Sequence, residues 1–419
     1  MNVVWFLNRL KSMSLAEVWW RAQEQVLRRT ARGRLDHWGA YDAAGTDAPV
    51  IPGFKSAVAG SPAEVREAIN RAAERAMSGH FEALGQRWPH FNSQAGIPPQ
   101  FWTLDPVTGK AWPGTDTFCF DIQYRHAAGY GDIKYAWEFN RLQFLQPVAA
   151  SYLFSGDKAA LRFLEDAISS WFNHNPPYKG IGWNSGIELS LRAISLLVVS
   201  TCCGNDLSRE VRHQIRLILV SHLRWMQRFP SGFSSANNHL IAERAGEFLI
   251  GLTMPELPDA GSTVSKAQAI LEREADKQIL DDGVGAEQSP TYGAFTAEFL
   301  LLCAQAARNA DRPMNSNVDA ALLRFARFIS WLALEDGTVP LIGDDDEGRV
   351  LSLAVEEPRY AASVATAIYG FNGIAPESSN LTDPSLRDAI FNSSSKSAPP
   401  PSGVRIFQTG GYSVFRGEI

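Results

Sequence analysis

Cysteine is scarce: the 419 residues hold four, Cys119, Cys202, Cys203 and Cys303. Two are adjacent and none form a CxxC pair, so neither a zinc knuckle nor a disulfide framework is expected, and the thiols read as small buried side chains. An excess of positive charge is missing too. Lys and Arg number 39 against 45 Asp and Glu, a net charge of -6, which excludes a general nucleic-acid binder and leaves room only for a local basic patch. The chain has no long apolar run at its start. Val3 to Leu7 is followed by Arg9 and Lys11, shorter than the apolar region of a signal peptide and far short of a membrane span. There is no GxSxG elbow, HExxH, P-loop or strand-to-helix GxGxxG, so the reactions built on those motifs find no support. Before residue 400 no segment alternates with period two, so strands should be few.

What is present is ordinary globular material, 45% hydrophobic and 20% charged, long enough for two or three domains or one large domain with an appendage. Aromatic residues make up 11%, including 12 Trp, enough to fill a large helical core or to line a groove for sugars. Residues 14 to 34 read as a basic amphipathic helix with Ser14 as N-cap and Glu17 completing a capping box, expected to pack on its own domain. Residues 40 to 60 read as a linker or surface loop, 62 to 86 as helix, and 88 to 131 as irregular, aromatic-rich structure.

From residue 132 the apolar spacing becomes helical, with helices expected to start near 132, 157, 185, 207, 236, 261, 290 and 318. Alternate members recur at about fifty residues, the signature of stacked αα-hairpins in which each pair covers the apolar face of the next. The chain is therefore expected to be all-α for most of its length, an incomplete (α/α) toroid. One more helix is expected at 351 to 370. After a Ser/Pro-rich linker, two short β-like runs, Val404 to Phe407 and Tyr412 to Phe415, flank a glycine turn. They read as the first strands of an antiparallel β domain that continues in a longer parent protein. The expected division is 1–60 for a helical segment and linker, 61–390 for the toroid, 391–403 for a linker and 404–419 for the first strands.

If paired helices alternate in direction, the helices beginning near 132, 185, 236 and 290 present their N-termini on one rim. Tyr130, Lys134, Trp183, Asn184, Asn237, Asn238, His239, Gln288 and Tyr292 gather there, beside amide groups that favour a carboxylate or sulfate. Singly these are N-caps and packed aromatics, but Asn-Asn-His offers more polar groups than one cap requires. Glu138, Glu188, Glu287 and the run Asp344 to Asp346 leave open a glycoside hydrolase with paired carboxylates. The acidic run is also a candidate cation loop, although its glycine is misplaced for an EF-hand.

The order and spacing of Asp132-Ile-Lys134, Trp137-Glu-Phe-Asn-Arg141, Trp183-Asn184 with Glu188 and Arg192, Asn237-Asn-His239, Asp281-Asp-Gly283, Glu287-Gln-Ser289 with Tyr292, and Gly343-Asp344 resemble the heparinase II/III and alginate-lyase group of polysaccharide lyases. The resemblance implies an α/α toroid joined to a C-terminal antiparallel β-sandwich, with Gly410 to Phe415 as the entry into that sandwich. It implies cleavage of a uronic-acid-containing polysaccharide by β-elimination, without metal or other cofactor. On the matching positions it implies that Asn238 neutralises the uronate carboxylate, that Tyr292 serves as general acid or as both acid and base, and that His239 is base or carboxylate partner. Tyr130, Lys134, Trp183, Asn184 and Gln288 become substrate contacts, with Trp183 stacking on a sugar ring. A further catalytic His or Tyr is implied beyond residue 419, and a periplasmic or secreted location is implied for such an enzyme. The rivals are the hydrolase and a non-catalytic polysaccharide-binding or assembly protein on the same scaffold.

Overall fold

Ser14 opens the first helix by accepting a hydrogen bond from the Glu17 amide at 3.1 Å, while the Glu17 carboxylate turns to Arg21 instead of closing the capping box. The computed structural model describes residues 13–43, 45–124, 129–233, 236–376, 382–391 and 401–417. The apolar run at Val3 to Leu7 and most of the Ser/Pro-rich linker lie outside the described residues. The first helices are α1 (Leu15–Ala31), α2 (Phe54–Ala59) and α3 (Ala63–Met77), followed by a two-residue hairpin, β1 (Glu82–Ala83) and β2 (Gln86–Arg87). Helix α2 falls inside the segment read as a loop, and α3 ends well before residue 86. Phe54 and Val58 on α2 are buried, so two apolar anchors outweigh the loop-like composition around them.

Thereafter the chain runs through α4 (Ile133–Asn140), α5 (Leu145–Ser155), α6 (Lys158–His174), α7 (Gly186–Cys203), α8 (Arg209–Arg228), α9 (Asn238–Thr253), α10 (Ala260–Gln278), α11 (Pro290–Asn309), α12 (Ser316–Leu332), α13 (Tyr360–Phe371) and α14 (Leu386–Ile390). None of the eight expected starts is displaced by more than two residues. The first of them is two helices, because Leu142 takes a left-handed backbone, φ 56°, and breaks α4 from α5. The last expected helix, α13, begins only at Tyr360, because the backbone amides of Val350, Leu351 and Ser352 donate instead to the buried Glu298 and Gln146 side chains.

Two layers of helices result. Helices α5, α7, α9, α11 and α13 pack successively against one another, and α6, α8, α10 and α12 lie outside them. The inner helices lack a polar face, as α7 shows most fully: all of its residues are buried, and its Ser190 hydroxyl donates to the Ala242 carbonyl of α9 at 2.5 Å. Among the described residues one stretch, Gly186–Asp206, is long and apolar enough to cross a membrane, and its apolar window is wholly buried inside the protein. The outer helices carry the expected single stripe; α6 buries Leu161, Leu164, Ile168 and Trp171. All four cysteines are free and buried.

The close fit within the inner layer is visible at Gly186, where a Cβ would meet the Glu243 carboxylate of α9 at 2.3 Å. Strands β3 (Gly403–Phe407) and β4 (Tyr412–Arg416) form an antiparallel hairpin pairing Phe407 with Tyr412 and Val404 with Phe415. Phe407 and Tyr412 pack on Phe328 of α12, and the Gly410 amide donates to Asp282 at 2.8 Å.

Candidate active site

Asn237 caps α9, its side-chain oxygen accepting from the His239 amide at 3.3 Å, and this puts Asn238 and His239 in the first turn. Glu287, at the end of the loop before α11, fixes this turn from across the gap: it accepts from the Asn237 amide at 3.0 Å and from the Asn238 backbone N–H at 3.2 Å. Burial raises the Glu287 carboxyl above its usual range, and the two donors oppose that rise. Asn238 itself is 4% exposed. Its side-chain oxygen is buried with no hydrogen-bond partner among the described residues.

Ser289 caps α11 through the Tyr292 amide at 3.2 Å, with Pro290 in the first turn, and its hydroxyl donates to the Asp344 carbonyl at 2.7 Å. That bond holds the Gly343 to Gly348 loop over the helix end. From this loop Asp346 accepts the Tyr292 hydroxyl at 2.6 Å and pairs on its other oxygen with Lys134 of α4. Burial would raise the Asp346 carboxyl, but the hydrogen bonds from Lys134 and Tyr292 prevail and hold it below the usual carboxylate range. Tyr292 is pushed well above the ordinary phenol value by burial and by this carboxylate, so its hydroxyl is a donor throughout the neutral range.

The structure thus joins Lys134 to Tyr292 through Asp346, and Asn238 to the segment leading into α11 through Glu287. Gln288 is exposed in that segment with a left-handed backbone, φ 59°, and its carbonyl accepts from the Tyr412 hydroxyl at 2.8 Å, so the β3–β4 hairpin touches the rim. Tyr130 is partly exposed and stacks on Trp112 at 5.2 Å, an aromatic platform beside α4. Asn184 donates to the Cys119 carbonyl at 3.0 Å, and its side-chain oxygen is buried without a partner among the described residues.

Trp183 does not fit the role expected of it. It is wholly buried, donating to the Asn175 carbonyl at 3.3 Å, stacked on Tyr178 at 5.9 Å and meeting His222 edge-on at 4.9 Å, which leaves no face for a sugar. The aromatic surplus goes largely into such packing. Nor are Glu138 and Glu188 free to act as a catalytic pair. Arg141 takes Glu188 in a two-bond fork at 2.8 and 2.9 Å and pairs with Glu138, all three buried. Burial pushes Glu138 up to about 7, opposed by Arg141 and reinforced by Glu188. Among the described residues no three His, Cys, Asp or Glu side chains gather as a metal centre would require.

Sequence reasoning did not assign the clamping roles of Asp346 and Glu287. Both stood out as carboxylates, but the donors to Asp346 lie 54 and 212 residues away and those to Glu287 lie 49 and 50, and no local spacing announces such pairs.

Similarity to known proteins agrees with this architecture. A heparin-sulfate lyase of Pedobacter heparinus is 21% identical over 272 residues, 62% of this chain and 41% of that protein. A solved heparinase III has 16% identity and a TM-score of 0.53, covering 94% of this chain and 55% of the other. A heparan sulfate lyase structure from Pedobacter heparinus, also at 16% identity, aligns over 94% of this chain and 54% of its own with a TM-score of 0.48. The chain therefore spans about half the length, or less, of the relatives it matches. The sequence pattern described as the heparinase II/III N-terminus matches residues 27–349, most of the chain, and the protein belongs to that family.

Proposed function

We propose that the protein is a polysaccharide lyase acting on a uronic-acid-containing polymer, with Asn238, His239 and Tyr292 as its catalytic residues. The observation that carries this reading is Asn238: a buried residue at a helix N-terminus whose side-chain oxygen has no hydrogen-bond partner among the described residues. A polar group so placed is costly unless a ligand completes it. A uronic-acid unit is a fitting ligand, because its hydroxyl or protonated carboxyl group can donate to that oxygen, while the carboxamide nitrogen and the helix terminus offset the charge that develops on the carboxyl group as the neighbouring C5–H is removed.

In the elimination, His239 takes the C5 proton, the electron pair forms the C4=C5 bond, the C4–O bond breaks, and the leaving oxygen takes the proton of the Tyr292 hydroxyl. Tyr292 is suited to the acid half, since burial and Asp346 keep it protonated. The alternative in which Tyr292 is also the base needs a phenolate, which Asp346 opposes. Lys134 and Asp346 set the position of that hydroxyl, and Tyr130, Asn184 and Gln288 are the proposed substrate contacts. The names of the relatives direct attention to heparin and heparan sulfate among uronate polymers.

The reading against hydrolysis rests on Glu138 and Glu188, both committed to Arg141. Ultraviolet absorbance of unsaturated uronate, followed on a panel of uronic polysaccharides, tests the proposal. The expected result is release from one polymer by the wild-type chain and its loss in Tyr292→Phe. Reducing ends without absorbance would replace elimination by hydrolysis, and polymer binding without either product would replace catalysis by a binding role.

A further inference from the structure

Helix α1 is mounted with its charged side inward. The Glu17–Arg21 and Glu24–Arg28 pairs lie toward the body, with Glu17 buried and Arg28 held 4.6 Å over the Phe120 ring. Arg32, just past the helix, pairs with Asp121 and lies 4.6 Å over Phe118, and Arg228 of α8 donates to the Thr30 hydroxyl at 2.7 Å. These contacts fix the rotation of the helix about its axis. The outward side then carries Leu15, Val18, Trp19, Ala22 and Val26, spaced i, i+3, i+4, i+7 and i+11, a continuous apolar stripe. Leu15 is 90% exposed, Trp19 66% and Val26 59%. Arg29 is exposed in the last turn beside the stripe and makes no ion pair among the described residues.

A stripe of this kind is built to be covered. A second copy is a poor cover, because five side chains of one helix fall well short of the roughly 800 Å² per partner that a stable dimer uses. Charge points elsewhere. Of the five arginines between Ser14 and Arg34, Arg21, Arg28 and Arg32 are paired with Glu17, Glu24 and Asp121, which leaves Arg29 and Arg34 as exposed cations in a protein of net charge -6. An apolar face with Trp, Leu and Val, flanked by arginines, is the composition of a helix that lies in a lipid interface.

We propose that α1 docks the protein on an anionic lipid surface. Leu15, Trp19 and Val26 enter the boundary between headgroups and acyl chains, and Arg29 and Arg34 meet lipid phosphates. The docked helix also touches the approach to the candidate site, since Trp20 packs at 5.6 Å on Phe233, in the loop that leads to Asn237.

Co-sedimentation of the full chain with phosphatidylcholine vesicles, with and without phosphatidylglycerol, tests this without any knowledge of substrate. Binding is expected only to the anionic vesicles and should weaken steeply with salt. It should fall at least tenfold in Leu15→Glu/Trp19→Glu and in Arg29→Glu/Arg34→Glu. Circular dichroism and sedimentation velocity report on fold and oligomeric state. Folded wild-type protein that stays in solution at low salt would overturn the proposal, as would undiminished binding by the Leu15/Trp19 variant. A dimer that ignores vesicles and dissociates on Trp19→Glu would assign the stripe to self-association instead.

Discussion

Tyr292 and Asp346 depend on each other in a way that a titration can read. The Asp346 charge, 2.6 Å from the phenol, helps to hold the proton on Tyr292. Asp346→Asn keeps an acceptor but removes the charge, so the Tyr292 pKa falls. On the proposed reaction, the alkaline limb of the kcat profile moves to lower pH, whereas Tyr292→Phe lowers kcat by about 10²–10⁴-fold across the profile. Arg141 is the contrasting case, a residue for the fold. Replacing it by Met strands two buried carboxylates, and denaturant titration should show a loss of about 3–5 kcal/mol. The types and positions of Asn238, His239 and Tyr292 were legible in the sequence because helix-end polar residues stand out against apolar spacing. Trp183 was misread because a tryptophan before a helix N-terminus has the same local sequence whether it faces a groove or the core.

Among the elements, the outer helices were legible because each has one apolar stripe. The inner helices were legible mainly through their punctuation, the capping residues Ser289 and Asn237 and the prolines and glycines between them. The break between α4 and α5 was not, since Leu142 adopts a left-handed backbone that its side chain does nothing to advertise. Helix α1 was legible as an amphipathic segment, but which side faces the body was not, because the seating of Arg28 over the Phe120 ring and the pairing of Arg32 with Asp121 decide it. Contact between α7 and α9 depends on Gly186. A methyl there would press the Glu243 carboxylate and its Cγ, at 2.3 and 2.7 Å, so Gly186→Ala should lower stability by about 1–3 kcal/mol, read as a fall in melting temperature.

At the scale of the whole molecule, the double layer gathers ionisable groups into its interior, and pH therefore acts on the fold. Glu243 is pushed up to about 7 by burial, against the Ser231 backbone and hydroxyl donors. A folded-state pKa raised above the unfolded one means stability present at low pH and lost as pH rises from the ordinary glutamate range through about 7. His222 works in the opposite sense: burial, aided by Arg192, depresses it, so stability is lost as pH falls below its unfolded value of about 6.5. The two are separable by difference. Relative to Glu243→Gln, wild-type stability should decline from pH 5 to 7 and level off above, and a flat difference would remove Glu243 from the account.

The orphaned oxygen of Asn238 has a thermal consequence as well. An occupant that donates a hydroxyl or a protonated carboxyl to it relieves a strain that exists only in the folded chain, so occupancy itself should harden the protein against heat. A melting curve taken with candidate sugars then becomes a way to find the ligand before any bond is broken. Asn238→Leu should melt at least as high as wild type when empty, and should lose the response to sugars.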